Sequence, residues 1–247
     1  MQSTDAVKTL APINIQFQNI ANELPVELNT GKYTNASREN FSISLLQYFV
    51  SNIELISADG KVYTVPQDSS YFLIKQANPQ TQTIQLNVPE GRYAKIKFVL
   101  GIDSIRNTKP LSQRTGVLDP SSYEGAENMY WSWNSGYIFF KMEGNKVTDN
   151  SSVAGKKFRY HIGLFGGMDK PTLNNIKLIE LDLTKKGLAK VRSGSKPTIV
   201  CSADVAKMFT GNSTITIDQF GTVMGGPTSA LIANNYHQMF KHQATIN

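Results

Sequence analysis

The sequence predicts an all-β protein, namely an antiparallel β-sandwich of Greek-key type with short C-terminal helices. Two observations support this fold class. Many short segments alternate apolar and polar residues, as a strand does when one face lies in a core. Turn residues separate these segments, for example Asp59-Gly60 between two alternating runs and the Pro-Glu-Gly turn at residues 89–91. Such a succession is typical of two packed sheets.

The predicted strands follow one another over most of the chain. They are residues 13–17, 41–55, 61–65, 71–74, 83–88, 92–100, 129–144, 158–164 and 175–183.

Two regions depart from this pattern. Residues 107–128 contain Pro110, Gly116, Pro120 and Gly125 and predict a long irregular loop, a kind of segment that is often functional. Residues 202–209 and 228–240 have helical spacing, the first after a Ser cap and the second after a proline. We expect one domain over residues 1–247, with residues 202–247 as a partly helical C-terminal extension packed on the sandwich.

Composition excludes several classes of protein. The chain has 247 residues, enough for a sizeable core, and its net charge of +6 is scattered along the chain, so we expect no nucleic-acid binding. No run approaches about 20 apolar residues, so we expect no membrane span. The single cysteine, Cys201, excludes an internal disulfide and is predicted to be a buried apolar side chain. Motifs of phosphate-binding loops, zinc proteases and serine hydrolases are absent, so we expect no enzyme.

Residues 129–144 are the most distinctive stretch, since they contain both tryptophans of the chain, Trp131 and Trp133. On an extended strand the two indoles point to the same face, and Tyr137 and Phe139 continue that set. Even-numbered neighbours are apolar as well, so a single central strand covered on both faces is predicted.

Together with residues 101–103 (Gly-Ile-Asp) and 160–163 (Tyr-His-Ile-Gly), this stretch resembles the MbnP-like family. The family is named for a methanobactin-associated periplasmic copper protein that accompanies a di-haem oxidase. In its best-studied branch a tryptophan is oxidised to kynurenine and sits beside copper. Residues 233–240 resemble the tail of Bacteroidetes-type members, whose role is largely unassigned.

The resemblance implies copper as a candidate cofactor and four candidate metal ligands, which are Asp103, Trp131, Trp133 and His161. One departure is evident, because Thr108 stands where the copper-binding branch has a histidine. Simpler interpretations remain open: core packing for the tryptophans, a histidine satisfied by its neighbours, and a strand-end or hard-cation role for the aspartate.

The resemblance also implies an exported, non-enzymatic protein of the periplasm or cell surface, with a lipid anchor in many members and a di-haem oxidase as partner. The first residues contain no apolar signal core, so we expect the signal segment to be absent from this chain. The alternative function is a cell-surface module without metal that holds a glycan or another protein. We expect the recombinant chain to bind copper weakly or not at all, because too few ligands are present. The alternative is a two-histidine site, formed if the C-terminal segment folds back and brings His237 or His242 to His161.

Overall fold

The computed structural model of the protein describes residues 9–122, 125–131, 136–148 and 155–247. Two β-sheets pack face to face in this part of the chain, which confirms the predicted all-β sandwich. The α-helices of the described residues are α1 (Ser104–Thr108) and α2 (Gly226–Tyr236). No helix within the described ranges is long and apolar enough to span a membrane.

The strands are β1 (Leu10–Ala21), β2 (Leu24–Pro25), β3 (Tyr33–Thr34), β4 (Asn40–Ser57), β5 (Val62–Thr64), β6 (Tyr71–Lys75), β7 (Thr83–Pro89), β8 (Gly91–Leu100), β9 (Tyr130–Trp131), β10 (Gly136–Tyr137), β11 (Phe140–Lys146), β12 (Lys157–Ile162), β13 (Lys177–Asp182), β14 (Ala189–Val191), β15 (Thr198–Asp204), β16 (Thr222–Val223) and β17 (Phe240–Ile246).

The smaller sheet is built around β1, which pairs with β7 on one edge and with β15 on the other, and β17 lies beyond β15. Along β1 every second residue is buried, as the alternation of its sequence predicts. The pairing of β1 with β15 is parallel, and so is that of β12 with β16. Both sheets are therefore mixed, although most pairs are antiparallel as predicted.

The larger sheet is organised by β4, an 18-residue strand. One of its edges pairs with β11 and then with β8, and the other pairs with β6 and β5. The change from β11 to β8 occurs at Phe49, whose N–H donates to the Phe139 carbonyl at 2.9 Å. The Phe49 carbonyl accepts from Gly101 N–H at 3.0 Å. The end of β8 and the start of β11 thus meet at one point, beside the long loop.

Aromatic rings hold the two sheets together. Phe17 and Phe240 from the smaller sheet meet Tyr48 and Phe98 from the larger one, with ring centroids 5.2–6.3 Å apart in edge-to-face arrangements. Each such ring is buried, and burial of a phenylalanine is worth roughly 1.5–3 kcal/mol. The sandwich core therefore depends on a residue of the last strand, Phe240.

The C-terminal region differs from the prediction in two elements. The expected helix at residues 202–209 is wrong in its first half, since β15 continues to Asp204 and only a 3₁₀ turn, Val205–Phe209, follows. Helix α2 confirms the second helix, but the chain then returns to the smaller sheet as β17. Residues 202–247 therefore supply sheet strands in addition to the helix.

Candidate functional site

The long loop covers the outer face of the larger sheet, which is the face turned away from the smaller sheet. A second cluster of buried apolar side chains fills the space between them. Its members are Phe49, Tyr71, Leu73, Ile102, Leu118, Ala126, Met129, Tyr137, Ile138, Phe139 and Phe165, with Val117, Tyr130, Trp131 and Ile176 packed against it. The loop is thus a packed layer of the protein.

Two polar side chains fix the loop to the sheet. Asn107 is buried; its amide donates to the Ile102 carbonyl at 2.7 Å and its side-chain oxygen accepts from Tyr137 N–H at 3.0 Å. The guanidinium of Arg114 lies 4.8 Å from the ring centre of Tyr130 and 5.2 Å from that of Tyr137. Arg114 also donates to the carbonyls of residues 107 and 109. Stacking and hydrogen bonds therefore compensate for burying this charge.

Asp103, the first predicted metal ligand, caps α1. One carboxylate oxygen accepts from Arg106 N–H at 2.9 Å. The other accepts from the Tyr71 hydroxyl at 2.5 Å and from the Gln67 amide at 3.0 Å. Because these bonds occupy both oxygens, the structure supports a role for Asp103 in fixing the start of the loop.

Thr108, the position of the departure from the copper-binding branch, is exposed at the end of α1. Its hydroxyl donates to the Ile105 carbonyl at 2.9 Å, an interaction within the helix.

Four polar side chains lie side by side on the outer face, across β6, β4, β11 and β12. Lys75 pairs with Gln47, Gln47 with Lys141, and Lys141 with His161. We call these four residues the outer-face row. Directly paired residues of adjacent strands place their side chains on one face of the sheet, about 4.5–5.5 Å apart at Cβ. Three of the four are basic, so the row brings several ionisable groups together on this face.

The buried half of the row forms a charged cluster with Glu143. His161 is 8% exposed, and its Nε2 lies 2.7 Å from a Glu143 carboxylate oxygen. Lys141 is 7% exposed; its ammonium donates to the Asn128 carbonyl at 2.9 Å and lies 3.9 Å from the same Glu143 oxygen. Burial lowers the pKa of His161 and that of Lys141, in both cases by disfavouring the charged form. The imidazole therefore resists protonation.

A cavity of about 470 Å³ opens beside the cluster, and we call it the outer-face cavity. Its polar lining includes Gln47, Lys75 and Lys141 from the row and Asn128 from the loop. Its apolar lining includes Leu45 of β4 together with Leu28, Leu46 and Ala77. The cavity thus combines positive charge with an apolar wall.

Trp131 lies at the edge of the same layer. It is half-buried, packs against the second cluster and rests on the backbone at Gly163, where an added Cβ would lie 2.8 Å from the indole Cζ3. Gly163 follows β12 by one residue and His161 by two, so the indole lies close to the end of the row. Trp133 lies outside the described residues.

The prediction of one strand over residues 129–144 is wrong. Strand β9 (Tyr130–Trp131) pairs antiparallel with β10 (Gly136–Tyr137), so the two are separate strands that run in opposite directions, and β11 begins only at Phe140. Gly136 has a φ of +67°, a conformation that glycine adopts without strain, and a Cβ there would strike the Asn107 side chain. Tyr137 and Phe139 therefore do not continue a set begun at Trp131 on the same strand.

The four predicted ligands are thus only partly brought together. His161 and Trp131 lie on one face, whereas Asp103 has a separate set of hydrogen-bond partners. The remaining histidines are elsewhere: His242 lies on β17 opposite Cys201, and His237 follows α2. Among the described residues no three His, Cys, Asp or Glu side chains are grouped to hold a metal ion.

The encoded residues near His161 do not fit a copper centre by themselves. They offer one imidazole and the Glu143 carboxylate, and these two groups are already bonded to each other. The Lys141 ammonium beside the carboxylate would repel a cation.

Sequence reasoning missed Lys141, Glu143 and Arg114. A signal for the first two was present, since they occupy the polar positions of an otherwise apolar strand, at residues 140–144. Arg114 carried no such signal, because its burial depends on how the loop folds.

The structure is thus a β-sandwich with a packed loop over the outer face of one sheet and a cavity with polar lining residues beside that loop. The family model for MbnP matches residues 11–225, and the chain belongs to that family. A solved structure, MbnP from Methylosinus trichosporium, is similar with a TM-score of 0.56 and 15% sequence identity, over 88% of this chain and 82% of that one. At that identity the likeness demonstrates the shared fold alone. No curated protein matches the chain.

Proposed function

We propose that this MbnP-family protein is an exported, non-enzymatic binding protein that holds its ligand at the outer face of the larger sheet. One observation carries the proposal: the ionisable groups of Lys141, Glu143 and His161 lie together beneath the loop, beside a cavity. Burying charged groups costs free energy, so proteins tend to place such clusters at functional sites. Family membership supports the export to the periplasm or cell surface, including a lipid anchor.

A second candidate function is copper binding with a di-haem oxidase as partner, as the family resemblance implies. The observation in its favour is the position of Trp131, whose indole rests on Gly163 near His161. An unmodified indole is a poor ligand because its N–H is only a donor. This candidate therefore requires chemical modification of Trp131 before copper binds.

A copper titration of two preparations separates the two candidates: protein exported by its native host, and protein made without export or a partner oxidase. Each preparation is titrated with Cu(I) and Cu(II) against a competing chelator, beside His161→Ala and a matched control, His242→Ala. We expect weak binding in all three, because His161 and Glu143 are too few donors. Stoichiometric sub-micromolar binding that His161→Ala abolishes and His242→Ala retains would overturn the first proposal and establish the second.

A further inference from the structure

The outer-face row has its polar side chains on the face opposite the sandwich core. The flanking residues Tyr48, Ile74 and Met142 all lie in that core, and side chains alternate along a strand. Lys75, Gln47 and Lys141 therefore project to the outer side, where they line the outer-face cavity.

Lys141 is the most buried charge of the row. An ammonium has three N–H donors, and the Asn128 carbonyl accepts one of them. The Glu143 carboxylate lies 3.9 Å away, which allows electrostatic attraction but exceeds hydrogen-bond length. The side chain is thus only partly compensated for its burial, and it lines a cavity that a ligand could enter.

The Lys141 ammonium favours an anion in the cavity, because the Glu143 carboxylate beside it lies beyond hydrogen-bond length and is 2.7 Å from His161 Nε2. The lining also contains a second ammonium group, Lys75, which has an interaction partner of its own, and one carboxylate, Glu127, which is exposed at the loop. The opposite wall is apolar and includes Leu28 and Leu45. An acid group on a short hydrocarbon body would satisfy both sides.

We propose that the outer-face cavity binds a small organic anion, with its carboxylate or phosphate on the ammonium groups of Lys141 and Lys75 and its short apolar body against Leu28 and Leu45. Gln47 lies between the two lysines and supplies an amide donor to the same head group. This inference rests on the proposed binding function and names its ligand class.

The test uses ligand-observed NMR and calorimetry on the full chain with three probes: butyrate, butyl phosphate and the neutral analogue butyramide. We expect saturable binding of at least one anion and none of butyramide. The two anions distinguish a carboxylate ligand from a phosphate ligand. Amide signals of Gln47 and Asn128 should shift on binding and thereby locate the ligand.

Lys141→Gln should weaken anion binding about tenfold or more, since the variant loses a charge-assisted hydrogen bond to the acid group. If Lys141→Gln does not fold, Lys75→Gln replaces it as the test variant, because Lys75 is less buried. Lys75→Gln should also weaken anion binding. Lys190→Gln, at an exposed position on β14, is the matched control and should bind as the wild type.

Absence of saturable binding for both anions, or equal binding by wild type and both row variants, would overturn the inference. Neither result changes the outcome of the copper titration, which tests the proposed function. The two experiments therefore distinguish an incorrect ligand class from an incorrect function.

Discussion

At the residue scale, the environment of His161 determines its protonation. Two effects oppose each other, because burial disfavours the imidazolium whereas the Glu143 carboxylate favours it. Burial is the larger effect, and the pKa of His161 lies below its ordinary value of about 6.5. Folding therefore favours the neutral imidazole.

This lowered pKa makes stability depend on pH. Above about pH 6.5 both folded and unfolded states hold a neutral histidine; below it the unfolded state binds a proton first, so stability falls as the pH drops. We expect Tm to decrease between about pH 6.5 and 5, and to decrease less in His161→Gln. Thermal unfolding at several pH values measures the difference.

His242 also has a pKa lowered by burial, so part of the decrease should persist in that variant. An NMR titration placing the pKa of His161 at or above its ordinary value, or identical pH profiles for both proteins, would contradict the prediction.

At the element scale, the long loop is held in place by a small number of contacts. The Arg114 guanidinium lies over the rings of Tyr130 and Tyr137, and the hydroxyl of Tyr137 donates to the Leu118 carbonyl at 2.6 Å. These contacts link the 3₁₀ turns of the loop to β9 and β10. The loop thereby keeps its place over the outer face of the sheet.

Arg114→Lys should loosen this loop while the sandwich remains folded. A lysine keeps the charge but loses the planar stacking and the paired N–H donors, at a cost of about 1–3 kcal/mol. We expect faster amide hydrogen exchange in residues 107–118 than in β4 or β8. Arg92→Lys, at an exposed arginine, should exchange as the wild type. Unchanged protection of the loop would show that Arg114 does not anchor it.

At the scale of the whole molecule, β17 contributes to both the smaller sheet and the core. Strand β17 is the edge of the smaller sheet, and Phe240 at its start touches Phe17, Tyr48 and Phe98. Phe240 of β17 therefore packs in the same core as Phe17 of β1.

Phe240→Ala should destabilise the protein by roughly 3–5 kcal/mol, because a large aromatic side chain leaves a cavity between both sheets. Ile246→Ala, on the same strand at a site 64% exposed, should change stability by less than about 0.5 kcal/mol. Chemical denaturation of both variants measures the two free energies of unfolding. Similar values for the two would indicate that β17 contributes little to the core.

The alternation of apolar and polar residues was sufficient to predict the sandwich and most of its strands. Strands such as β1 and β4 bury one face, and that produces the alternation from which they were predicted. Strand β15 lacks such alternation: five of its seven residues are buried, so side chains on both of its faces are covered. Strand β17 is polar, short and directly after a helix, so its sequence resembles a helix end.

Which residues come together at the site depends on tertiary contacts. The resemblance singled out His161, Trp131 and Asp103, but their partners are set by register between strands and by the path of the loop. Lys141 meets His161 because β11 pairs with β12, whereas Asp103 caps α1 and has other hydrogen-bond partners. Periodicity in the sequence predicts which face of a strand a residue occupies. It does not predict which residues of other strands lie beside it, because those contacts depend on how the whole chain folds.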